Sequence, residues 1–195
     1  MVGVRICLAL CQIEEMRKIK LFLANYGFSV ISESTDGSSV LRHIRTLNPD
    51  LIVVDSELPG INGIRIAEIA EEDDIAPVIV ITNSTKDSLW IDLEHPRGIV
   101  FLQRPITKSA LLQTIQLSLL NYRRIKELKE EVKKLKETLE ARKLIEEAKG
   151  ILMKKNDISE GEAYRLMQKQ SMDRGIPMRE LANAIILANR MELLD

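Results

Sequence analysis

Cationic side chains are the residues in the last third of this 195-residue chain whose spacing could do chemistry. Arg142 and Lys149 are seven apart and share one helical face, Lys154 and Lys155 follow where that helix should end, and Arg165 and Lys169 form an i,i+4 pair on the next stretch. Cations so placed could hold the phosphates of a nucleic acid. The plainer reading of each is a solvated charge, because Glu146, Glu147 and Glu162 are interleaved with them. Tyr164 could stack on an unpaired base, although an aromatic next to Ala163 on an amphipathic helix is expected to face inward. Cys7 and Cys11, the only cysteines, share one short segment. They provide neither a disulfide framework nor a four-ligand zinc pattern, and read as two reduced small hydrophobes.

Composition limits what can position these groups. Hydrophobic residues make up 45% and charged residues 29%, with nine glycines and six prolines, so the chain is expected to fold and bury a sizeable core. Runs such as Leu51 to Val54 and Val78 to Ile81 are strand-sized and fall short of the roughly 20 apolar residues that span a bilayer. The stretch Ile6 to Leu10 lacks the flank and cleavage site of a signal peptide, so a cytoplasmic protein is expected, with no membrane partner. Residues before Ala110 carry 11 basic and 15 acidic side chains and the remainder 17 and 14, giving −4 and +3. That asymmetry is compatible with a nucleic-acid partner for the second half without requiring one.

From Val4 to Leu120, short β-branched runs alternate with amphipathic stretches, the pattern of βα units on a parallel sheet covered on both faces. Strands are predicted at Arg5 to Leu10, Ser29 to Glu33, Leu51 to Val54, Val78 to Thr82 and Ile99 to Leu102. Helices are predicted at Ile13 to Tyr26, Ser38 to Leu47, Gly63 to Ala70 and Thr85 to Leu93, with another starting near Lys108. Gly27 and Asn48-Pro49 fall where helices should stop. The fold class is therefore α/β, doubly wound, with a five-stranded parallel sheet in about residues 1–120.

After Pro105 neither proline nor glycine interrupts helical periodicity until Gly150. Ile125, Leu128, Val132, Leu135 and Leu139 alternate spacings of three and four, with charges filling the positions between, which predicts a coiled-coil linker over 121–138. Its seam suits a second copy of the chain; a single solvated connector held by i,i+4 ion pairs is the alternative. Beyond it, residues 139–195 read as a small three-helix unit. Asn156-Asp157 ends the long helix, Ser159 with Glu162 forms a capping box, Gly175 stops the second helix and Pro177 precedes the third. The third carries Leu181, Ile185, Ile186, Ala188 and Leu193 on its apolar face. Ala148, Gly150 and Ala163 are small where helices should approach closely.

The run Pro49-Asp50-Leu51-Ile52-Val53-Val54-Asp55-Ser56-Glu57-Leu58-Pro59-Gly60-Ile61-Asn62-Gly63 resembles the receiver domains of two-component response regulators, which have the flavodoxin-like fold. The resemblance implies that Asp55 stands at the phosphoacceptor position, that Thr82 is the hydroxyl sensing a phosphoryl group, and that Arg104, before Pro105, replaces a lysine. It departs where receivers carry an acidic pair for Mg²⁺, since Leu10 and Cys11 stand there. Mg²⁺ needs octahedral oxygen coordination, so its binding is expected to be weak or absent, and no other cofactor or metal site is expected. Glu14 and Glu15, a turn into the first helix, are expected to point elsewhere. Arg104 and lysine are not equivalent where a small anion is gripped. Two readings of Asp55 follow. It is either a phosphoacceptor or a carboxylate at a vestigial site that pairs with Arg104 or caps a turn, which makes the domain a pseudo-receiver that contacts a regulatory protein.

The tail, from Ala141-Arg142-Lys143-Leu144-Ile145-Glu146-Glu147-Ala148-Lys149-Gly150-Ile151-Leu152-Met153 through Ile158 to Met167 and Met178 to Ala182, resembles the ANTAR domain of antitermination regulators. Ser171 departs from the alanine common there. The resemblance implies an RNA-binding, non-enzymatic transcription antiterminator that stabilises a two-hairpin antiterminator in leader mRNA. Its stem-loops would present unpaired bases, and a homodimer would engage two of them. Control by a partner or by dimerisation replaces the phosphoryl switch in this reading. A phosphorylation-switched regulator using Asp55, and a protein–protein scaffold without RNA binding, are the rivals.

Overall fold

A computed structural model describes residues 3–83 and 98–192. The helix expected over Thr85 to Leu93 lies outside them, as does Leu193. Five described strands, β1 (Arg5–Ala9), β2 (Ser29–Ser34), β3 (Leu51–Asp55), β4 (Val78–Thr82) and β5 (Ile99–Gln103), form one parallel sheet in the order β2-β1-β3-β4-β5. Helices α1 (Ile13–Asn25), α2 (Gly37–Leu47), α3 (Gly63–Glu72), α4 (Lys108–Asn156), α5 (Glu160–Arg174) and α6 (Met178–Glu192) complete the described elements. The observed strands and helices follow the predicted ones to within two residues at each end. None of these helices is long and apolar enough to cross a membrane.

Every residue of β3 and β4 is buried, as a sheet covered on both faces requires. Alternation along the strands then assigns each side chain to one of two cores. Cys7, Ala9, Ile52, Val54, Val78 and Val80 pack with Val40 and Ile44 of α2 and Ile66, Ala67 and Ala70 of α3. Ile6, Leu8, Leu51, Val53, Ile79 and Ile81 pack with Met16, Ile19 and Leu23 of α1 and with Leu111 and Ile115 at the start of α4. Local chemistry sets the helix limits. Asp36 and Asn62 accept from the amides of Ser39 and Arg65 at 2.9 and 2.7 Å, capping α2 and α3. Asn48 ends α2 in the left-handed conformation, and Arg5 donates to the terminal Leu47 carbonyl at 2.7 Å.

The chain divides into two compact units, Met1–Lys126 and Glu127–Asp195. In the second, Ala148 of α4, Ala163 and Met167 of α5, and Leu181, Ala182 and Ile186 of α6 are buried. The capping box at Ser159 is complete, and Gly175 ends α5 at φ 62°. Ser171, buried, donates to the Ile176 carbonyl at 2.6 Å and so satisfies its hydroxyl across the α5–α6 turn. Two packing expectations are corrected. Gly150 has open space where a Cβ would lie, so no close approach demands it, and Ala188 is exposed instead of packed. Between Ile125 and Leu139 the long helix exposes its apolar seam, with Leu128, Val132, Leu135 and Leu139 each 48–62% exposed.

Gly37 and Gly63 are different. A Cβ at Gly37 would run into the Ile61 carbonyl, and one at Gly63 into the carbonyl of Asp55. Gly37→Ala and Gly63→Ala should therefore each lower stability by roughly 1–3 kcal/mol in urea unfolding. Gly150→Ala should raise it by about 0.5–1 kcal/mol, as for a mid-helix glycine that nothing requires.

Candidate functional site

The C-terminal ends of the parallel strands bring Asp55, Thr82 and Arg104 together. Asp55 closes β3 and is buried, with its oxygens accepting from the amides of Cys11 and Glu57, each at 3.4 Å. Thr82 closes β4, also buried, and its carbonyl accepts the Arg104 amide at 2.9 Å, which brings the residue after β5 over the sheet edge. From there Arg104 Nη2 reaches Asp55 Oδ2 at 2.7 Å and Glu15 Oε2 at 2.8 Å, while Nε contacts both Glu15 oxygens at 3.2 and 3.3 Å. The Arg104–Pro105 peptide is cis. One guanidinium thus holds two carboxylates in a largely buried triad, with side-chain exposures of 18% for Arg104, 4% for Asp55 and 23% for Glu15. Beside it, α1 and the β5–α4 loop enclose a groove of about 770 Å³, rimmed by Glu14, Lys18, Arg104 and Lys108 over Ile19, Phe22 and Leu111.

Burial alone would push the Asp55 carboxyl up, but hydrogen bonds and charge from Arg104, with the Glu57 and Cys11 amides, outweigh it and hold the group below the usual carboxylate range. The Arg104 guanidinium is raised, chiefly by Glu15. The Cys11 thiol is pushed up by burial and by the charge of Asp55, which disfavours a reactive thiolate.

In the second unit Arg142, Lys154, Lys155, Arg165 and Lys169 are exposed. Tyr164 is 46% exposed. Lys149 is only 7% exposed, its ammonium donating to Glu146 at 2.8 Å and to Glu160 at 2.7 Å, and these two carboxylates raise its pKa.

Comparison with known proteins places both units. A response regulator receiver domain model matches residues 13–116 and an ANTAR domain model matches residues 133–186. The transcriptional regulatory protein PdtaR of Mycobacterium tuberculosis is 31% identical over 164 residues, covering 84% of this chain and 80% of that protein. The chain is an ANTAR-type response regulator. Protein PilH of Pseudomonas aeruginosa is 28% identical over 106 residues, 52% of this chain and 85% of its own. A response regulator receiver protein from Sinorhizobium medicae superposes with a TM-score of 0.55 at 22% identity, covering 62% of this chain and 97% of that one, which shows the receiver fold.

Against the receiver pattern, this ANTAR-type regulator has a changed site. Leu10 is wholly buried in the sheet core, and Cys11 offers Asp55 a backbone amide. The Cys11 thiol lies 3.3 Å from the Glu57 carbonyl. A hard divalent cation needs several oxygen ligands, whereas here both Asp55 oxygens already face a fixed organic cation, so the donor set does not fit Mg²⁺. Among the described residues no group of three or more His, Cys, Asp or Glu is placed to hold a metal.

Three sequence expectations need correction. Glu15 does not point away. Helix α1 starts two residues after Cys11, so its first turn sits at the strand ends and Glu15 turns onto Arg104. That short β1–α1 connection was the available signal. Lys149 is no free RNA contact, because helix α5 brings Glu160 against it from a distance in sequence that periodicity cannot see. Tyr164 does not face the core, because Ala163, Met167 and Ser171 already fill the inward face of α5.

Asp55 is held below its ordinary pKa, so the stability it contributes is complete above about pH 4 and fades as pH falls through the folded value. Arg104→Gln should cost roughly 3 kcal/mol at neutral pH, by leaving a buried carboxylate without its cation. The gap to the parent should narrow on acidification, as Asp55 takes up its proton. Urea titrations at a series of pH values would measure both. Lys149→Ala should lower the thermal midpoint of the second unit, while Arg142→Ala leaves it unchanged.

Proposed function

We propose that this protein is an RNA-binding transcription antiterminator that stabilises a two-hairpin antiterminator in leader mRNA, controlled by partner contact or dimerisation and not by phosphorylation of Asp55. The observation that carries the RNA reading is the ANTAR match over residues 133–186, on helices whose outer faces hold Arg142, Lys154, Lys155, Arg165 and Lys169. The regulatory name of PdtaR supports action on transcription. In this reading residues 1–120 are the input domain, 121–138 a coil and 139–195 the RNA-binding domain, acting in the cytoplasm without catalysis.

Control without phosphoryl transfer is supported by the Arg104 triad. A phosphoryl group on Asp55 would have to displace a guanidinium bonded to two carboxylates, and phosphoryl transfer depends on cationic neutralisation that a divalent metal normally supplies. The groove of mixed charge beside the triad suits a regulatory protein. Dimerisation is supported by the exposed seam of Leu128, Val132, Leu135 and Leu139, which with half-buried Ile125 would be covered by a second copy. Two ANTAR domains on one dimer gain affinity for paired hairpins through effective concentration.

Gel shifts of the full-length protein with leader RNAs carrying one or two hexaloop hairpins test this reading. Paired hairpins should bind roughly 100-fold tighter than one, and Leu128→Glu with Leu135→Glu should abolish that advantage along with the dimer in sedimentation. Absence of any shift at low salt would leave the scaffold reading. Incubation with an acyl phosphate and Mg²⁺ should leave the intact mass unchanged; a modified Asp55 with altered RNA affinity would restore the phosphorylation-switched one.

A further inference from the structure

Helix α5 has two faces of different character. Ala163, Met167 and Ser171 point inward, 0–9% exposed. At 100° per residue, Gly161, Tyr164, Arg165, Gln168 and Met172 fall within an arc of about 100° that begins beside Ser171, and Lys169 lies about 40° past its far edge. All six are exposed, Tyr164 at 46% and Met172 at 75%. Among the described residues the Tyr164 hydroxyl has no hydrogen-bond partner and its ring no aromatic neighbour. Gly161 leaves open space one turn before it, since a Cβ there would meet nothing within 4 Å.

The charges around this arc are sorted. Its only ionised group is the cation Arg165, and the next charge past its far edge is the cation Lys169. The helix has three carboxylates, Glu160, Glu162 and Asp173, and all lie outside the arc. Glu160 is held by Lys149 at 2.7 Å, and Glu162 closes the capping box on the Ser159 amide at 2.9 Å. An exposed aromatic ring and a thioether bordered by cations and one amide match a planar, hydrogen-bonding base on a negatively charged backbone. A protein partner of matching character would need an acidic rim around an apolar knob, but it would leave the flat ring and the adjoining open shelf without a specific role.

We infer that Tyr164 is a stacking platform for one unpaired loop nucleotide of a hairpin RNA, with Gln168 at the base edge and Arg165 and Lys169 on the flanking phosphates. This rests on the RNA-binding reading and names the surface that performs it. The ties of Lys149 to Glu160 and of Ser159 to Glu162 serve it by giving both carboxylates partners within the molecule.

The test uses full-length protein and a hexaloop hairpin carrying 2-aminopurine at each loop position in turn. Binding should quench fluorescence at one position, and the quench should persist in Tyr164→Phe and vanish in Tyr164→Leu. Affinity should fall roughly 10–100-fold in Tyr164→Leu, with unchanged circular dichroism. Arg165→Ala and Lys169→Ala should each reduce the salt slope of binding by about 0.7. Parent-like affinity of Tyr164→Leu, in a preparation where the parent protein binds the hairpin, overturns the inference alone. Equal losses in the Phe and Leu variants without any quench overturn stacking and favour a protein ligand for this face. Failure of the parent to bind any hairpin instead removes the RNA reading on which the inference stands.

Discussion

A single guanidinium at the edge of the sheet sets the terms for the first unit. Arg104 emerges from β5, is bonded through its amide to Thr82, and closes on the buried carboxylate of Asp55 from one side and on Glu15 from the other. Without a cation there, two carboxylates would face each other over the apolar ends of β3 and β4, an arrangement that low dielectric penalises heavily. The parallel sheet makes this meeting unavoidable, because all its strands deliver their C-terminal residues to one edge. A mobile divalent ion can be exchanged and so can serve as part of a switch. A covalently tethered guanidinium is present in every molecule, and the site's charge is balanced by the fold itself.

The second unit handles charge by the same rule at smaller scale. It buries few large side chains, relying on Ala148, Ala163 and Ala182 for close helix contact and on Met167, Leu181 and Ile186 for volume. In so small a core, polar ties at the helix ends carry much of the definition. Lys149 links α4 to the first turn of α5, the Ser159–Glu162 box fixes where α5 begins, and Ser171 stitches its end to the turn beyond. These ties have a second effect, since each carboxylate they engage has a fixed partner within the molecule. Outward on α5 stand Tyr164, Gln168, Arg165 and Lys169, beside the exposed Glu160, Glu162 and Asp173.

The glycines divide along the same line between necessity and tolerance. Gly37 and Gly63 open helices whose first residues press against the backbones of Ile61 and Asp55, so the loops at the strand edge close tightly only without side chains there. Gly63 in particular lies against the carbonyl of the residue that anchors the triad. Gly150 and Gly161 have no such neighbours, so packing requires neither.

Fold class, strand positions, the capping box, the helix stops and the exposed seam were legible from residue types alone, because they depend on periodicity and on chemistry within a few residues. Asp55, Thr82 and Arg104 were likewise placed by motif at one sheet edge. Sequence could not decide where Glu15, Lys149 and Tyr164 point. Each is set by how closely one element follows or crosses another: a three-residue connection turns Glu15 inward, α5 carries Glu160 to Lys149, and three small or flexible residues fill the inner face of α5 before an aromatic can. Local pattern determines which faces are apolar, but partners far apart in the chain determine which charges are spent inside the molecule and which are left for a ligand, since electrostatic pairing follows distance in space.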